Sequence, residues 1–493
     1  MGPGASPGVF PGAYHRTVTE RPSERTGPAG DRVHDVLVIG GGPAGSSCAY
    51  WLAEAGWDVS VVEKKQFPRE KTCGDGLTPR AVRQLADMGL EGALTGAHRF
   101  EGLRAYGFGR ELEMAWPKHP SFPSYGYTIT RHDLDRLVAD RAAKAGATVW
   151  QGTEAVEPLE PVSPAAPERW SEATGGPATD PGGGNGSAER VGDSLSSCAG
   201  AVVRERATGT TRAVRARFVV VADGANSRFG RALGAARDRN DPLGMALRGY
   251  YRSPRHDDPM IESHLDIRGA DGEVIPGYGW IFPLGDGRVN VGVGLLSTDR
   301  RWKGVNTTRL MEAFVAGAPK SWGLGPETCC GPPTGGKLPM GLSVGPRHGD
   351  NTLVIGDAGG SINPFNGEGI AYGYETGRLA AASIGEALSG DGSGALAGYD
   401  RRLHDAYGPY HAVAKAFVRM ISDPRAMRLC VGLGMRSELL MTQLLRIMSN
   451  LMRPDVLGPA EVGYRAMLAV ADLLPRSARG PLVRDLGEVP APA

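Results

Sequence analysis

Between Asp35 and Glu63 the chain reads DVLVIGGGPAGSSCAYWLAEAGWDVSVVE, a stretch compatible with few folds. Val36 to Ile39 form a short all-apolar run, as a strand buried on both faces of a parallel sheet requires. Gly40, Gly42 and Gly45 follow as G-x-G-x-x-G, with Pro43 and Ala44 inside the turn and a helix predicted from about Ser46 to Ala55. The first glycine permits the tight turn, the second admits a pyrophosphate to the backbone, and the third lets helix close on strand. The pyrophosphate would rest on the unpaired N–H groups of the helix N-terminus. A second strand, Val59 to Val62, ends in Glu63, whose carboxylate can take both hydroxyls of an adenosine ribose. Strand, glycine turn, helix, strand and acid in this order predict a dinucleotide site.

At 493 residues the chain exceeds the size at which a single core stops growing, so two or three domains are expected. A net charge of +1 gives no field for nucleic acid. Its six cysteines contain no C-x-x-C, which argues against zinc, an iron–sulfur cluster or a disulfide scaffold, and no metal site is predicted. Cys329 and Cys330 are expected as small packing residues. No long apolar run or charged-then-apolar leader occurs, so the expectation is a cytoplasm-facing protein without a transmembrane helix.

Residues 1–32, rich in Pro, Gly, Ser and Arg, are expected to be a disordered extension, and 157–197 a disordered insertion in a surface hairpin. A helix is predicted from about Pro79, and another after Asp133 as N-cap, with Leu134, Leu137, Val138 and Ala142 on one face. Phe218 to Val221 form a second buried strand, ending at Asp223-Gly224. Alternation from Leu243 to Ser297 predicts an antiparallel sheet, with Gly285-Asp286-Gly287 closing a hairpin. A third buried strand, Thr352 to Ile355, runs into Gly356-Asp357 and then a helix.

GGGPAG…E, ADGANSR and GDAGGSINPFNGEGI resemble the three FAD fingerprints of flavoproteins related to p-hydroxybenzoate hydroxylase. The resemblance implies a Rossmann-like α/β FAD-binding domain interleaved with an antiparallel-sheet substrate domain, plus a C-terminal helical region. The boundaries expected are 33–100, 126–240 and 335–403 for the FAD domain, 101–125 and 241–334 for the substrate domain, and 404–493 for the helices. It further implies FAD contacts at Asp223, Gly224, Gly356, Asp357 (ribityl chain), Pro364, Gly367, Gly369 and Ile370, and around the first turn at Lys64, Arg69, Cys73, Gly74 and Arg131.

Two more stretches, PREKTCGDGL and YGWIFP, are similar to the Cys-x-Gly and Tyr-x-Trp-x-Phe-Pro motifs of geranylgeranyl reductases, and the block from Phe67 to Met88 most resembles bacterial menaquinone reductases. The family pattern has proline three positions before the tyrosine; here Ile275 stands there and Pro276 follows. The resemblance implies saturation of an isoprene double bond, with Cys73, Tyr278 and Trp280 as catalytic candidates and Tyr278, Trp280 and Phe282 lining a dry apolar site. Their aromatic faces would stabilise positive charge developing on the alkene. Trp280 as a packing residue and Cys73 as a small loop residue are the plain alternatives. The electron donor, NAD(P)H or another reductant, is not identified by the sequence.

From Arg419 to Asp455 the chain is apolar and basic, with Leu440, Leu444, Met448 and Leu451 at helical spacing. Two readings fit: a helix packed on the catalytic unit, or an interfacial helix on the inner face of the cell membrane, which suits a prenyl lipid such as menaquinone. Three other functions stay open. These are a geranylgeranyl diphosphate or prenyl-lipid reductase, a flavin-dependent monooxygenase or halogenase of small aromatics, and a flavin-bound interaction subunit without turnover. Halogenases carry a related Trp-x-Trp-x-Ile-Pro string, whereas Tyr278 and Phe282 occupy its first and fifth positions here.

Overall fold

The computed structural model describes residues 32–161, 194–269, 272–299, 302–390, 396–453 and 456–473. The predicted extension falls almost wholly outside them, as does 162–193 of the predicted insertion. At the insertion's edges the structure departs from the expectation. Glu157 and Leu159 belong to a strand, Thr153–Leu159, paired with Gly200–Glu205, and Leu195 and Cys198 are buried core residues. Low complexity marks the middle of that stretch and not its apolar ends.

Val33–Ile39 lies between Val59–Glu63 and Thr211–Val221 in a seven-stranded sheet, parallel to both. Thr148–Gln151 extends one side; on the other, Thr211–Val221 pairs antiparallel with Gly200–Glu205 and parallel with Thr352–Val354. Val36, Leu37 and Val38 are fully buried, because both sheet faces are covered.

Ten helices are described: α1 Pro43–Glu54, α2 Pro79–Asp87, α3 Arg131–Lys144, α4 Phe229–Ala232, α5 Thr307–Gly317, α6 Ile370–Ser389, α7 Ala397–Ile421, α8 Pro424–Gly434, α9 Glu438–Met448 and α10 Pro459–Leu473. α1 starts earlier than predicted, because Pro43 is preset for a first helical position after the extended Gly42. α3 is capped at Thr130, whose hydroxyl donates to Asp133, so Asp133 sits inside the first turn and is not the cap. α1 and α6 pack closely: a Cβ at Gly377 would lie 2.4 Å from the Ala44 carbonyl oxygen.

A second seven-stranded sheet runs in the order 334–339, 243–252, 288–296, 277–283, 260–264, 102–107, 110–115. All neighbours are antiparallel except Met260–His264 with Gly102–Gly107. Thr334–Pro339 is its edge strand, so this sheet extends past the boundary expected at 334. The hairpin between Gly277–Pro283 and Arg288–Leu296 closes through Gly285 and Gly287, both at positive φ. One face of Gly277–Pro283 meets α5, where a Cβ at Gly279 would strike the Phe314 ring at 2.4 Å. By strand alternation Tyr278, Trp280 and Phe282 leave from the other face, towards the first sheet's loops.

The region 419–455 is not one helix. It is the end of α7, then α8 and α9. The predicted stripe splits: Leu440 is exposed, Leu444 and Met448 are half-buried, and Leu451 is buried. Cys329 and Cys330 are both exposed, contrary to their expected packing role, because the segment lies beside the sheet edge and not in the core.

Candidate functional site

The glycine turn separates protein contact from open cradle. A Cβ at Gly40 (φ +104°) would sit 2.4 Å from the Ala222 oxygen, and one at Gly45 would sit 1.9 Å from the Gly40 oxygen. At Gly42 the nearest atom is Arg69 Nη2, 3.8 Å away. The first and third glycines are thus required by the chain, while the second faces open space, as a backbone that receives a pyrophosphate must. Glu63 is buried; its Oε2 accepts from the Gly41 N–H and Oε1 from the Lys65 N–H, both at 3.0 Å. Arg69 bridges Glu63 and Asp135, and Asp135 also receives both arms of Arg131 at 2.7 Å. Arg131 and Arg69 are therefore committed to Asp135, a residue not singled out in the sequence, while Lys64 is exposed.

Asp223 accepts through Oδ2 from the Arg228 and Phe229 N–H groups at the start of α4, while its buried Oδ1 has no partner among the described residues. Gly224 is at positive φ beside Lys71. Gly356 turns at φ +60° against Ala44, followed by a partly buried Asp357. Asp357 Oδ1 lies 3.3 Å from the Cβ position of Gly369, which caps α6 ahead of Ile370, and Pro364 is buried nearby. The open cradle at Gly42, the orphan oxygen of Asp223 and the Asp357–Gly369 approach fit an extended dinucleotide such as FAD.

Cys73 and Gly74 lie on the aromatic face of the second sheet. Cβ positions at Gly74 and Gly76 fall 3.3 and 3.1 Å from the Phe282 ring, and that of Gly74 falls 3.5 Å from Trp280 Nε1. Tyr278 donates to the Asn366 carbonyl at 2.7 Å, so the strand also grips the loop before α6. Trp280 is buried against Gly292, where any Cβ would enter the indole at 2.1 Å. Trp280 Nε1 donates to Asn290 Oδ1 at 2.9 Å, and Asn290 Nδ2 donates to the Cys73 carbonyl at 2.9 Å and to Asp75 Oδ2 at 2.8 Å. Tyr250 completes the set by donating to Asp75 at 2.6 Å.

Asp75 is fully buried at φ +63°, and burial pushes its carboxyl up to about 6 against the hydrogen bonds from Tyr250 and Asn290. Burial likewise pushes the Cys73 thiol up, with the Arg131 guanidinium pulling the other way, so Cys73 is a neutral thiol at neutral pH and not a thiolate. Glu368 stands between Gly367 and Gly369, and burial pushes its carboxyl up to about 7. Asp75, Asn290, Tyr250 and Glu368 are functional candidates that motif reading missed. Asp75 and Glu368 lie inside the quoted PREKTCGDGL and GDAGGSINPFNGEGI stretches, which was the local signal for those two.

The FAD binding domain family matches residues 33–175. Over 421 residues the chain is 39% identical to the menaquinone reductase of Mycolicibacterium smegmatis, covering 85% of this chain and 92% of that protein. It is 27% identical over 401 residues to digeranylgeranylglycerophospholipid reductase 1 of Methanopyrus kandleri, covering 79% and 91%. Among solved structures, a geranylgeranyl bacteriochlorophyll reductase-like protein from Thermoplasma acidophilum superposes with a TM-score of 0.63 at 23% identity, covering 88% of this chain and 96% of that one.

Proposed function

The chain belongs to the geranylgeranyl reductase family of FAD-dependent oxidoreductases, and from that premise we propose that it saturates an isoprene double bond in the side chain of menaquinone. The observation that carries this reading is the row Tyr278, Trp280 and Phe282, leaving one strand face and meeting both the Cys73–Gly76 loop and the loop before α6. Gly42, Glu63, Asp223, Asp357 and Gly369 would hold FAD, which when reduced supplies a hydride. An isolated isoprene alkene is electron-rich, so its reduction also asks the protein to tolerate positive charge on carbon. Three aromatic faces, with Trp280 buried and Tyr278 and Phe282 half-buried, answer that need.

The substrate's address supports the same reading. No helix among the described residues is long and apolar enough to cross a membrane. The α8–α9 surface nevertheless exposes Leu429, Leu433, Leu439 and Leu440 beside the exposed Arg425, Arg428 and Arg436. Such a face suits the surface of an anionic bilayer, where a quinone with a prenyl tail resides.

The test is direct. Holoprotein reduced under nitrogen is mixed with vesicles carrying menaquinone, and flavin absorbance and quinone mass are followed. Return of the oxidised flavin spectrum together with a quinone that stays heavier by one hydrogen molecule after its ring is reoxidised in air is the expected result. Reoxidation without that mass change, or none, removes the menaquinone assignment.

A further inference from the structure

Each alkene reduced consumes a proton as well as a hydride, and we propose that the carboxyl of Glu368 holds and delivers that proton. This rests on the prenyl-reductase reading above. Glu368 sits at the hinge of the site: the Cβ position of Gly367 is 3.3 Å from the Tyr278 hydroxyl, and that of Gly369 is 3.3 Å from Asp357 Oδ1. Glu368 therefore belongs to the short backbone segment that joins the aromatic row to the carboxylate assigned to the flavin side. Thr78, at the end of the Cys73 loop, donates its hydroxyl to Glu368 Oε1. Thr78 is the N-cap of α2, yet its side chain makes no cap bond, so that hydroxyl serves Glu368 instead. Oε2 is shut off from solvent and has no partner among the described residues.

The charges around it do not balance unless a proton is present. Facing Glu368 are Arg80 from α2, Glu375 and Tyr372 from α6, and Tyr278 from the second sheet, while Asn366 Oδ1 takes the Glu368 N–H. Arg80 points Nε and Nη2 at Glu375, at 2.7 and 3.0 Å, and donates through Nη1 to the Asn450 carbonyl. Tyr407 donates to Glu375 as well, at 2.5 Å. The single cation and the phenol both serve Glu375, so of these two carboxyls Glu368 is the one left to be neutral. Its value of about 7 agrees with this: burial is the main cause, and Glu375 adds to it against Thr78, Arg80 and Asn366. In turnover one Glu368 O–H bond breaks, one C–H bond forms with that proton, and the hydride of the reductase reaction forms the other. The carboxylate left behind takes a proton from solvent.

The experiment compares wild type with Glu368→Gln, which keeps size and can still accept from Thr78. FAD content and melting temperature should be unchanged, while reoxidation of the reduced holoprotein by menaquinone vesicles falls about 10²–10⁴-fold. Wild-type reoxidation should decline on the alkaline side with a midpoint at about 7, and the residual Glu368→Gln rate should lack that limb. Thr78→Val removes a bond that favours the charged form, so it should move the limb to higher pH. An infrared difference spectrum of FAD-loaded protein at neutral pH should show a buried carboxylic acid band in wild type and none in Glu368→Gln. An unchanged rate and pH profile in Glu368→Gln, or no such band in wild type, overturns the proposal. Wild type that fails to reoxidise while the band is present overturns the menaquinone reading and leaves supported only that Glu368 holds a proton.

Discussion

The amide of Asn290 donates two hydrogen bonds and accepts one, and it joins segments that lie 215 residues apart in sequence. Its oxygen fixes the Trp280 indole, and its nitrogen fixes the Cys73 carbonyl and the Asp75 carboxylate. Asn290→Ala would strand the Trp280 N–H in a dry site, at a stability cost of roughly 1–3 kcal/mol. We expect a lower melting temperature, full FAD occupancy and slower reoxidation by substrate; loss of FAD in parallel would mean that the residue supports the cofactor site and not the aromatic row. The glycine turn was legible in sequence because Gly45 closes on Gly40 five positions away within a fixed spacing, although the Ala222 that Gly40 meets was not. Asp75, Asn290 and Glu368 were not, because their partners come from other sheets and helices, and no periodicity records a contact between segments so far apart.

At the scale of elements, α9 is anchored at its C-terminal end by a set of hydrogen bonds. Helix C-termini leave carbonyls without intrahelical partners. Here the Met448 carbonyl accepts from Asn363 Nδ2 at 2.9 Å, Asn366 Nδ2 at 3.3 Å and the Tyr410 hydroxyl at 2.8 Å. Since the Asn366 carbonyl also receives the Tyr278 hydroxyl, the end of α9 and the aromatic row share one loop. Asn363→Ala is expected to speed amide exchange in α9 and in residues 363–369 together, with the first sheet unaffected; exchange that changes in only one of these segments would break the link. The apolar stripe of this region was visible in sequence, but its division was not. Spacing shows that Leu440 and Leu445 sit on a helix; it does not say that core covers Leu445 and leaves Leu440 bare.

Taken whole, the molecule places its exposed large apolar side chains unevenly. Of ten such residues among those described, Val156 lies on the first sheet and Met420 near the end of α7, while Leu429, Leu433, Leu439, Leu440, Val456, Leu457, Val462 and Val470 lie between residues 429 and 470. Leu439 and Leu457 are 70% and 67% exposed, so little of either is covered by the described residues. Exposed apolar side chains of this kind are what the proposed contact with a lipid surface would use. The exposed arginines around them favour an anionic bilayer, to which each basic side chain adds attraction that salt weakens. We therefore expect the holoprotein to float with vesicles containing anionic lipid, less so at high salt and little with purely zwitterionic vesicles. Replacing Leu429, Leu433 and Leu439 together by Ser removes three side chains whose full burial would be worth roughly 1.5–3 kcal/mol each. Allowing for partial insertion, partitioning should weaken by about a hundredfold or more. FAD content and reoxidation by a short-tailed, detergent-solubilised prenyl quinone should be unchanged, because these side chains lie outside the aromatic site. If the triple variant still floated like wild type, the bilayer would have to be approached by another surface, and the route from membrane to Tyr278 would need to be sought elsewhere in the fold.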